Sequence, residues 1–393
     1  MSFVLLDSKD WCKGIYEKGN LHFEKMPTDL SSTWKYSPCL SDREVVYASL
    51  YAQGRSIDEV CPLSLKQEWD SRKQKLSAFH KSFKKAKIDL NQTCFYDLVP
   101  QQFLLELCET KTKIIDHVIE TFEKPKNYDL LLETEKVIEQ ISNQKLNIDL
   151  SLLLQEVHKN RTRTILQRLN KASLYIKYNL FGSKTGRLTT RTGTFPILNL
   201  DKNYKSIIKP VNDLFIELDF NAAEVRVLLG LSGEQQPQED IHEWNAKRLG
   251  CSREEAKRDI FAWLYGSSKV ESSKFESLFN LNKIMQSKYD GDYVESLYGR
   301  KIKSDSFHSL NYLVQSSTSE LVLEQMIKIN KILKNKKSFI SFIVHDSIVI
   351  DLSKEDKSLV QDLVDTFTKT KLGDFPVNIS IGKDYGNLRK IKC

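Results

Sequence analysis

At 393 residues with a formal net charge of +7, the chain is long enough for two or three domains, each with its own core. Its hydrophobic fraction of 40% and charged fraction of 28% are those of an ordinary globular protein, which excludes a disordered or fibrous chain. No apolar run approaches the roughly 20 residues of a membrane span, and Met1-Ser2-Phe3-Val4-Leu5-Leu6-Asp7 reaches a charge too soon for a signal peptide.

The cysteines (Cys12, Cys39, Cys61, Cys94, Cys108, Cys251, Cys393) form no CxxC and no His-Cys metal spacing. They read as reduced thiols of a cytosolic-type compartment. Residues 1–128 read as a mixed, mainly helical region, with helices expected over 45–52 and 103–108. Lys81, Lys84, Lys85 and Lys87 read as a solvated helix face. Pro125 and Asn127 mark a break. Residues 129–175 read as two helices separated by Asn147-Ile148-Asp149.

From Val157 to Leu200 there is no Asp or Glu, whereas Lys159, Arg161, Arg163, Arg168, Lys171, Lys177, Lys184, Arg187 and Arg191 all fall there. Such a stretch makes a positive field, and polyphosphate backbones are its usual partner. A solvated basic face is the plainer reading. Gly182 and Gly186 open a loop with strand tendency.

A strand is expected over 214–219 and a helix over 222–231, buried because its apolar positions wrap most of the circumference. Helices follow over 240–249 and 253–265, separated from a long helix over 310–332 by a Ser- and Lys-rich stretch, 267–274, that is mobile by composition. Residues 339–352 split into two apolar runs about His345-Asp346, which predicts a β-hairpin with the acid at its turn. A helix over 357–369 and a strand over 377–381 complete the pattern.

Two aspartates therefore stand on apolar strands: Asp219 at the end of Leu214-Phe215-Ile216-Glu217-Leu218-Asp219-Phe220, and Asp346 inside the hairpin. Alone, Asp219 reads equally as a helix cap and Asp346 as a turn residue. Together they are harder to dismiss, since an unpaired charge in an apolar run is costly. Carboxylates fixed by a sheet suit magnesium, and phosphoryl transfer from a nucleotide uses two such ions about 4 Å apart.

Between the aspartates, Arg253, Lys257, Phe261 and Tyr265 drift only about 40° per four-residue step and form one helical stripe. Its start is cationic, suited to phosphates, and its end aromatic, suited to a base. The alternative is an ordinary amphipathic helix with both aromatics in a core.

These pieces resemble a known family. Asp219-Phe220-Asn221-Ala222-Ala223-Glu224-Val225-Arg226 resembles motif A of family A DNA polymerases, the bacterial polymerase I type. Arg253-x3-Lys257-x3-Phe261-x3-Tyr265-Gly266 resembles motif B, and Val344-His345-Asp346 resembles motif C. Thr185-Gly186-Arg187-Leu188-Thr189-Thr190 resembles the TGRLSS segment, and Asn311-x3-Gln315 the N-x3-Q element, with Tyr298-Gly299-Arg300 just upstream. Pro376-Val377-Asn378 through Tyr385-Gly386-Asn387 also follows the pattern. The resemblance covers 176–393, extends weakly over 129–175 and leaves 1–128 unplaced.

The resemblance implies an α+β right-hand polymerase with an antiparallel palm sheet, helical fingers, a reduced helical thumb and a helix-rich N-terminal domain. It divides the chain into 1–128 of unknown role, a thumb over 129–175, palm over 176–235 and 298–393, and fingers over 236–297. Asp219, Asp346 and the Phe220 backbone carbonyl would hold two Mg2+ ions, with Mn2+ as a substitute. Arg253 and Lys257 would bind the triphosphate, Lys257 also serving catalysis, with His242 assisting. Phe261 would pack on the incoming sugar and base, Tyr265 would stack near the templating position, and Glu224 would be the steric gate against a ribose 2′-hydroxyl. Arg187, Arg300, Asn311, Gln315 and His345 would contact primer and template.

Departures from the family pattern carry their own expectations. Ser347 stands where a Glu usually follows the motif C Asp, a triplet that instead resembles single-subunit phage-type RNA polymerases. Glu224 argues for deoxynucleotides. Ala222 replaces the usual motif A Gln. Short fingers and a small thumb imply low processivity unless a processivity or replisome partner, or residues 1–128, supplies the clamp. No proofreading carboxylate cluster is visible, since Leu5-Leu6-Asp7-Ser8-Lys9-Asp10 lacks the usual Asp-x-Glu. The expected function is extension of a primer 3′-OH with dNTPs on template DNA, in a phage-like protein of the bacterial host cytoplasm with no membrane association. An RNA polymerase-like activity and a non-catalytic nucleic-acid-binding subunit are the alternatives.

Overall fold

The computed structural model describes residues 2–7, 12–90, 93–171, 173–267 and 270–391. Met1, Ser8, Lys9, Asp10, Ser268, Lys269 and Cys393, which entered the sequence reading, lie outside them. The chain divides into two compact units, residues 1–136 and 137–393. The division falls inside the helix Tyr128–Ser142.

In the first unit, strands Phe3–Asp7, Cys12–Glu17 and Asn20–His22 form an antiparallel meander. Ser32–Thr33 pairs in parallel with Val46–Tyr47. Residues 45–52, expected to be helical throughout, begin as that strand and turn helical only at Ala48–Tyr51. Consecutive β-branched Val45 and Val46 favour the extended start. Helices Leu63–Lys85 and Gln101–Thr121 pack Trp69, Phe103, Leu107 and Ile115 into one core with Val4, Leu6 and Tyr16 of the meander. Lys81, Lys84, Lys85 and Lys87 are exposed. Asp7 keeps the company of thiols: its carboxylate and the sulfurs of Cys12 and Cys39 lie within 4.8 Å of one another. All described cysteines are unpaired. No helix among the described residues is long and apolar enough to cross a membrane.

The second unit is built on a five-stranded antiparallel sheet. Its spatial order is Phe339–Val344, Ser347–Leu352, Leu214–Phe220, Val377–Gly382, Arg389–Ile391. Side chains alternate along a strand, so the central strand presents Ile216, Leu218 and Phe220 to one face and Phe215, Glu217 and Asp219 to the other. The first face is apolar: Phe220 stacks on Phe367 of the helix Val360–Thr368 at 4.1 Å between centroids. That helix follows a 3-10 turn, Lys354–Leu359, where one continuous helix was expected from 357. The long helix runs from Ser306 to Ile332, longer than expected because Asp305 caps it by accepting from the His308 N–H. The region 129–175 holds a third short helix, Ser151–Gln155, and Asn147–Ile148 pairs with Ile208–Lys209.

Helix Ala223–Ser232 is buried from Ala223 through Leu229. Even Arg226 is fully enclosed, its guanidinium donating to the carbonyls of Asn221 (2.9 Å), Pro237 (2.8 Å) and Glu239 (3.0 Å). Helices Ile241–Leu249, Arg253–Leu264, Ser272–Leu278 and Leu281–Lys288 surround a second core of Val225, Leu229, Ile260, Trp263, Phe279 and Leu313. The stretch read as a mobile linker thus contains the start of a helix. At the end of the chain, Gly386 passes so close to Ser206 that a Cβ there would lie 2.4 Å from the Ser206 nitrogen.

Candidate active site

Register brings the two aspartates together. Asp219 pairs with Ser347 on one side and Asn378 on the other, so it sits next to the turn that carries Asp346. That turn has two residues, because Val344 pairs directly with Ser347. Its first residue, His345, has φ of +56°, as a II′ hairpin requires and as a residue with a Cβ resists. Ala222, which starts the helix after Asp219, is also left-handed at φ of +52°. The outer strand carries a register shift between Ile340 and Phe342, and bulges of this kind re-aim side chains beside functional sites. The Tyr178 phenol steadies this edge, accepting from the Ile343 N–H at 2.9 Å and donating to its carbonyl at 2.7 Å.

Asp219 accepts a hydrogen bond from Asn378 Nδ2 at 3.2 Å. Burial, then repulsion from Asp346, pushes its carboxyl up to about 7; Glu217 adds to this and the Asn378 bond opposes it. Neither Asp219 nor Asp346 forms an ion pair among the described residues. These are hard oxygen donors whose mutual repulsion a divalent cation relieves, and the donor set fits Mg2+.

A cavity of about 210 Å³ opens beside the turn, lined in part by Arg187, Glu224, Phe261, His345 and Asp346. Ala222, Thr318, Ser319 and Val322 complete much of its wall. Five of the residues singled out in the sequence are thus gathered around one space. Glu224 is buried and held from two directions: Tyr265 Oη donates to Oε2 at 2.6 Å, and Arg187 Nη2 donates to Oε1. The hydrogen bond to Glu224 and burial raise the Tyr265 phenol to about 12, with burial the larger cause.

The cationic-aromatic stripe lies on the open side of its helix. Ala256, Ile260, Trp263 and Leu264 are buried, whereas Lys257 is exposed and Tyr265 is 48% exposed. Ser252 and Glu255 form a capping box at its start, which fixes where the helix begins. Phe261 and Tyr265 stack at 6.2 Å between centroids. Arg253 forms a fork with Asp240, at 2.8 Å from Nη2 and 3.2 Å from Nε. Burial works to raise the Asp240 carboxyl, but Arg253 and the N–H groups of Glu243 and His242 outweigh it and hold it at about 2. His242 is buried beside Phe261, with Nδ1 lacking a hydrogen-bond partner.

The remaining expected nucleic-acid contacts are placed differently. Arg300 donates from Nε to the fully buried Glu320 at 3.0 Å, and its guanidinium lies over Gly186, where a Cβ would meet it at 2.7 Å. It therefore positions the Thr185-Gly186-Arg187 loop, which Ser319 also ties down by donating to the Gly186 carbonyl at 2.9 Å. Gln315 donates to Asn311 one helical turn away. Phe220 has its ring in the core under the sheet. Sequence reading gave no role to Asp240, to Asn378 or to Arg226. It also missed Glu217, two residues before Asp219 and on the same face; alternation along the strand was the available signal.

No family model matches the chain. A DNA polymerase of Mycobacterium phage L5 is 24% identical over 178 residues, covering 38% of this chain and 29% of that protein. The match thus spans under a third of the phage protein's length. The POL domain of Pol1 from M. smegmatis, solved in complex with DNA primer-template and dNTP, is similar at a TM-score of 0.60 and 12% identity, over 72% of this chain and 76% of that one. The chain has the fold of that polymerase domain.

Proposed function

We propose that this chain is a template-directed DNA polymerase that adds dNTPs to a primer 3′-OH and releases pyrophosphate. The observation that carries the reading is the strand register that sets Asp219 beside Asp346, which lines the cavity shared by Glu224, Arg187 and Phe261. Two Mg2+ ions, held by Asp219, Asp346 and the Phe220 carbonyl, supply the charge neutralisation that phosphoryl transfer needs, and Mn2+ substitutes for them. Lys257 and Arg253 draw in the triphosphate, Arg253 being oriented for it by Asp240. Phe261 and Tyr265 give the base and sugar an aromatic wall. Glu224, fixed by Tyr265 and Arg187, occupies the space a ribose 2′-hydroxyl needs. The likeness to a polymerase domain solved with primer-template and dNTP supports this.

In this reading the sheet is the palm, 236–297 the fingers and 129–175 a reduced thumb. The basic stretch 157–200 tracks the phosphate backbone, with Arg187, His345, Asn311 and Gln315 toward primer and template. The phage relative supports action in a bacterial host cytoplasm. A processivity partner compensates for the small thumb. Primer extension on template DNA, with dNTPs or rNTPs and with wild type or Asp346→Asn, tests the reading. Extension with dNTPs alone, lost in the variant, is expected. Equal use of rNTPs establishes an RNA polymerase-like activity, and template binding without extension establishes a non-catalytic subunit; either overturns it.

A further inference from the structure

We propose that Glu217 is a third acidic residue of the metal site, positioned by Ser347. The inference rests on the polymerase reading above. Glu217 and Asp219 alternate onto the same face of the central strand. Asp219 pairs with Ser347 and Glu217 with Val349, so Ser347 is both the direct neighbour of Asp219 and the diagonal neighbour of Glu217. Diagonal neighbours on one face lie within reach of long side chains. The Ser347 hydroxyl lies 3.3 Å from Glu217 Oε1 and 3.0 Å from the Val344 carbonyl, so its one proton is shared between these two acceptors. It thus joins the carboxylate to the strand end that carries Asp346.

Only the Ser347 hydroxyl and the charge of Lys205 favour a carboxylate at 217, against burial and the Asp346 charge. It is flanked by Ile216 and Leu218 in an apolar strand and forms no ion pair among the described residues. Lys205 favours the charged form of Glu217 from a distance, but its ammonium donates to the Tyr385 hydroxyl at 3.3 Å and forms no ion pair with Glu217 among the described residues. A half-buried carboxylate without a counter-ion is costly unless something positive arrives. Among the described residues the carboxylate oxygens of Glu217, Asp219 and Asp346 do not all lie within 4.8 Å of one another, so Glu217 is assigned to the same face of the strand as Asp219 and not to one shared ion. The register also makes position 347 the alternative origin for the same charge, because a Glu there faces the same side next to Asp346.

Mn2+ titration of the full chain, followed by the electron paramagnetic resonance of free Mn2+, reads the site without turnover. Glu217→Gln keeps the hydrogen bond to Ser347 and removes the charge, and its Mn2+ affinity should fall by about tenfold or more. The exchange Glu217→Ser with Ser347→Glu should recover most of the loss, which a merely structural role at 217 would not do. Binding by Glu217→Gln equal to wild type, with Asp219→Asn defective, overturns the inference and leaves the polymerase reading intact. An exchange variant that melts like wild type but binds Mn2+ no better than Glu217→Gln also overturns it. Unchanged binding in Asp219→Asn and Asp346→Asn removes the metal site itself.

Discussion

Replacing Asp219 with Asn should stabilise the metal-free protein at pH 8 and leave it nearly unchanged near pH 4. Burial, with Asp346 and Glu217 alongside, raises the Asp219 carboxyl from its ordinary 3.8 to about 7. Between those values the unfolded chain has lost a proton that the folded chain keeps. Stability therefore falls as pH rises through this window, and the loss is complete above about 7. At about 1.4 kcal/mol per pH unit, the ceiling is about 4 kcal/mol. The side chain retains some access to water, and screening reduces the effect to about 1–2 kcal/mol. Asn cannot ionise, so the variant escapes this cost, which corresponds to roughly 2–4 °C in melting temperature for the unit of residues 137–393. Melting in EDTA at pH 4.5, 6 and 8 measures it. Added Mg2+ should then stabilise wild type and not the variant, since only a ligand bound by the native state raises stability. A variant no more stable than wild type at pH 8, or one that gains equally from Mg2+, refutes the reasoning.

Tyr265→Phe removes the 2.6 Å bond that helps fix Glu224; a loss of about 1–2 kcal/mol of discrimination, or roughly 5–30-fold more ribonucleotide incorporation, is expected in a dNTP/rNTP competition assay. Arg226→Leu leaves the carbonyls of Asn221, Pro237 and Glu239 without their donor, and should cost at least about 3 kcal/mol in urea unfolding. Gly386→Ala puts a Cβ 2.4 Å from the Ser206 backbone nitrogen, which cannot rotate away, and should lower stability by about 1–3 kcal/mol in the same assay.

The sheet was legible because its signals are local and periodic. Apolar runs marked four of its five strands, and the two runs about His345-Asp346 form the hairpin that their spacing predicts; the edge strand Arg389–Ile391, led by Arg389-Lys390, carries no such run and was missed. The stripe of Arg253, Lys257, Phe261 and Tyr265 was legible for the same reason: a fixed helical period places those side chains on one side whatever the tertiary structure. What the sequence hid is pairwise. The fork between Arg253 and Asp240 joins residues across a helix boundary, and nothing in either residue's immediate neighbourhood names the other. The turn of Arg300 toward Glu320 depends on the long helix passing beside Gly186. Glu217 was overlooked because it interrupts an apolar run by one residue, and its neighbour Ser347 is known only once the register is.

The residues that build this site carry strain that their surroundings must offset. Ala222 and His345 both hold left-handed backbone conformations and both line the cavity, at about 1–3 kcal/mol each. Asp219 carries a charge that its surroundings disfavour. Such features persist only where the rest of the structure leaves no alternative. Here two restraints supply that. Arg226 ties the carbonyl of Asn221, one residue before Ala222, to the loop at Pro237 and Glu239. Tyr178 grips Ile343, two residues before His345, through both its N–H and its carbonyl. Each strained residue thus has a fully buried side chain clamping the backbone next to it. The clamps lie outside the cavity and the strain inside it, so the backbone beside Asp219 and Asp346 is held in its left-handed conformations by the surrounding scaffold rather than by local preference.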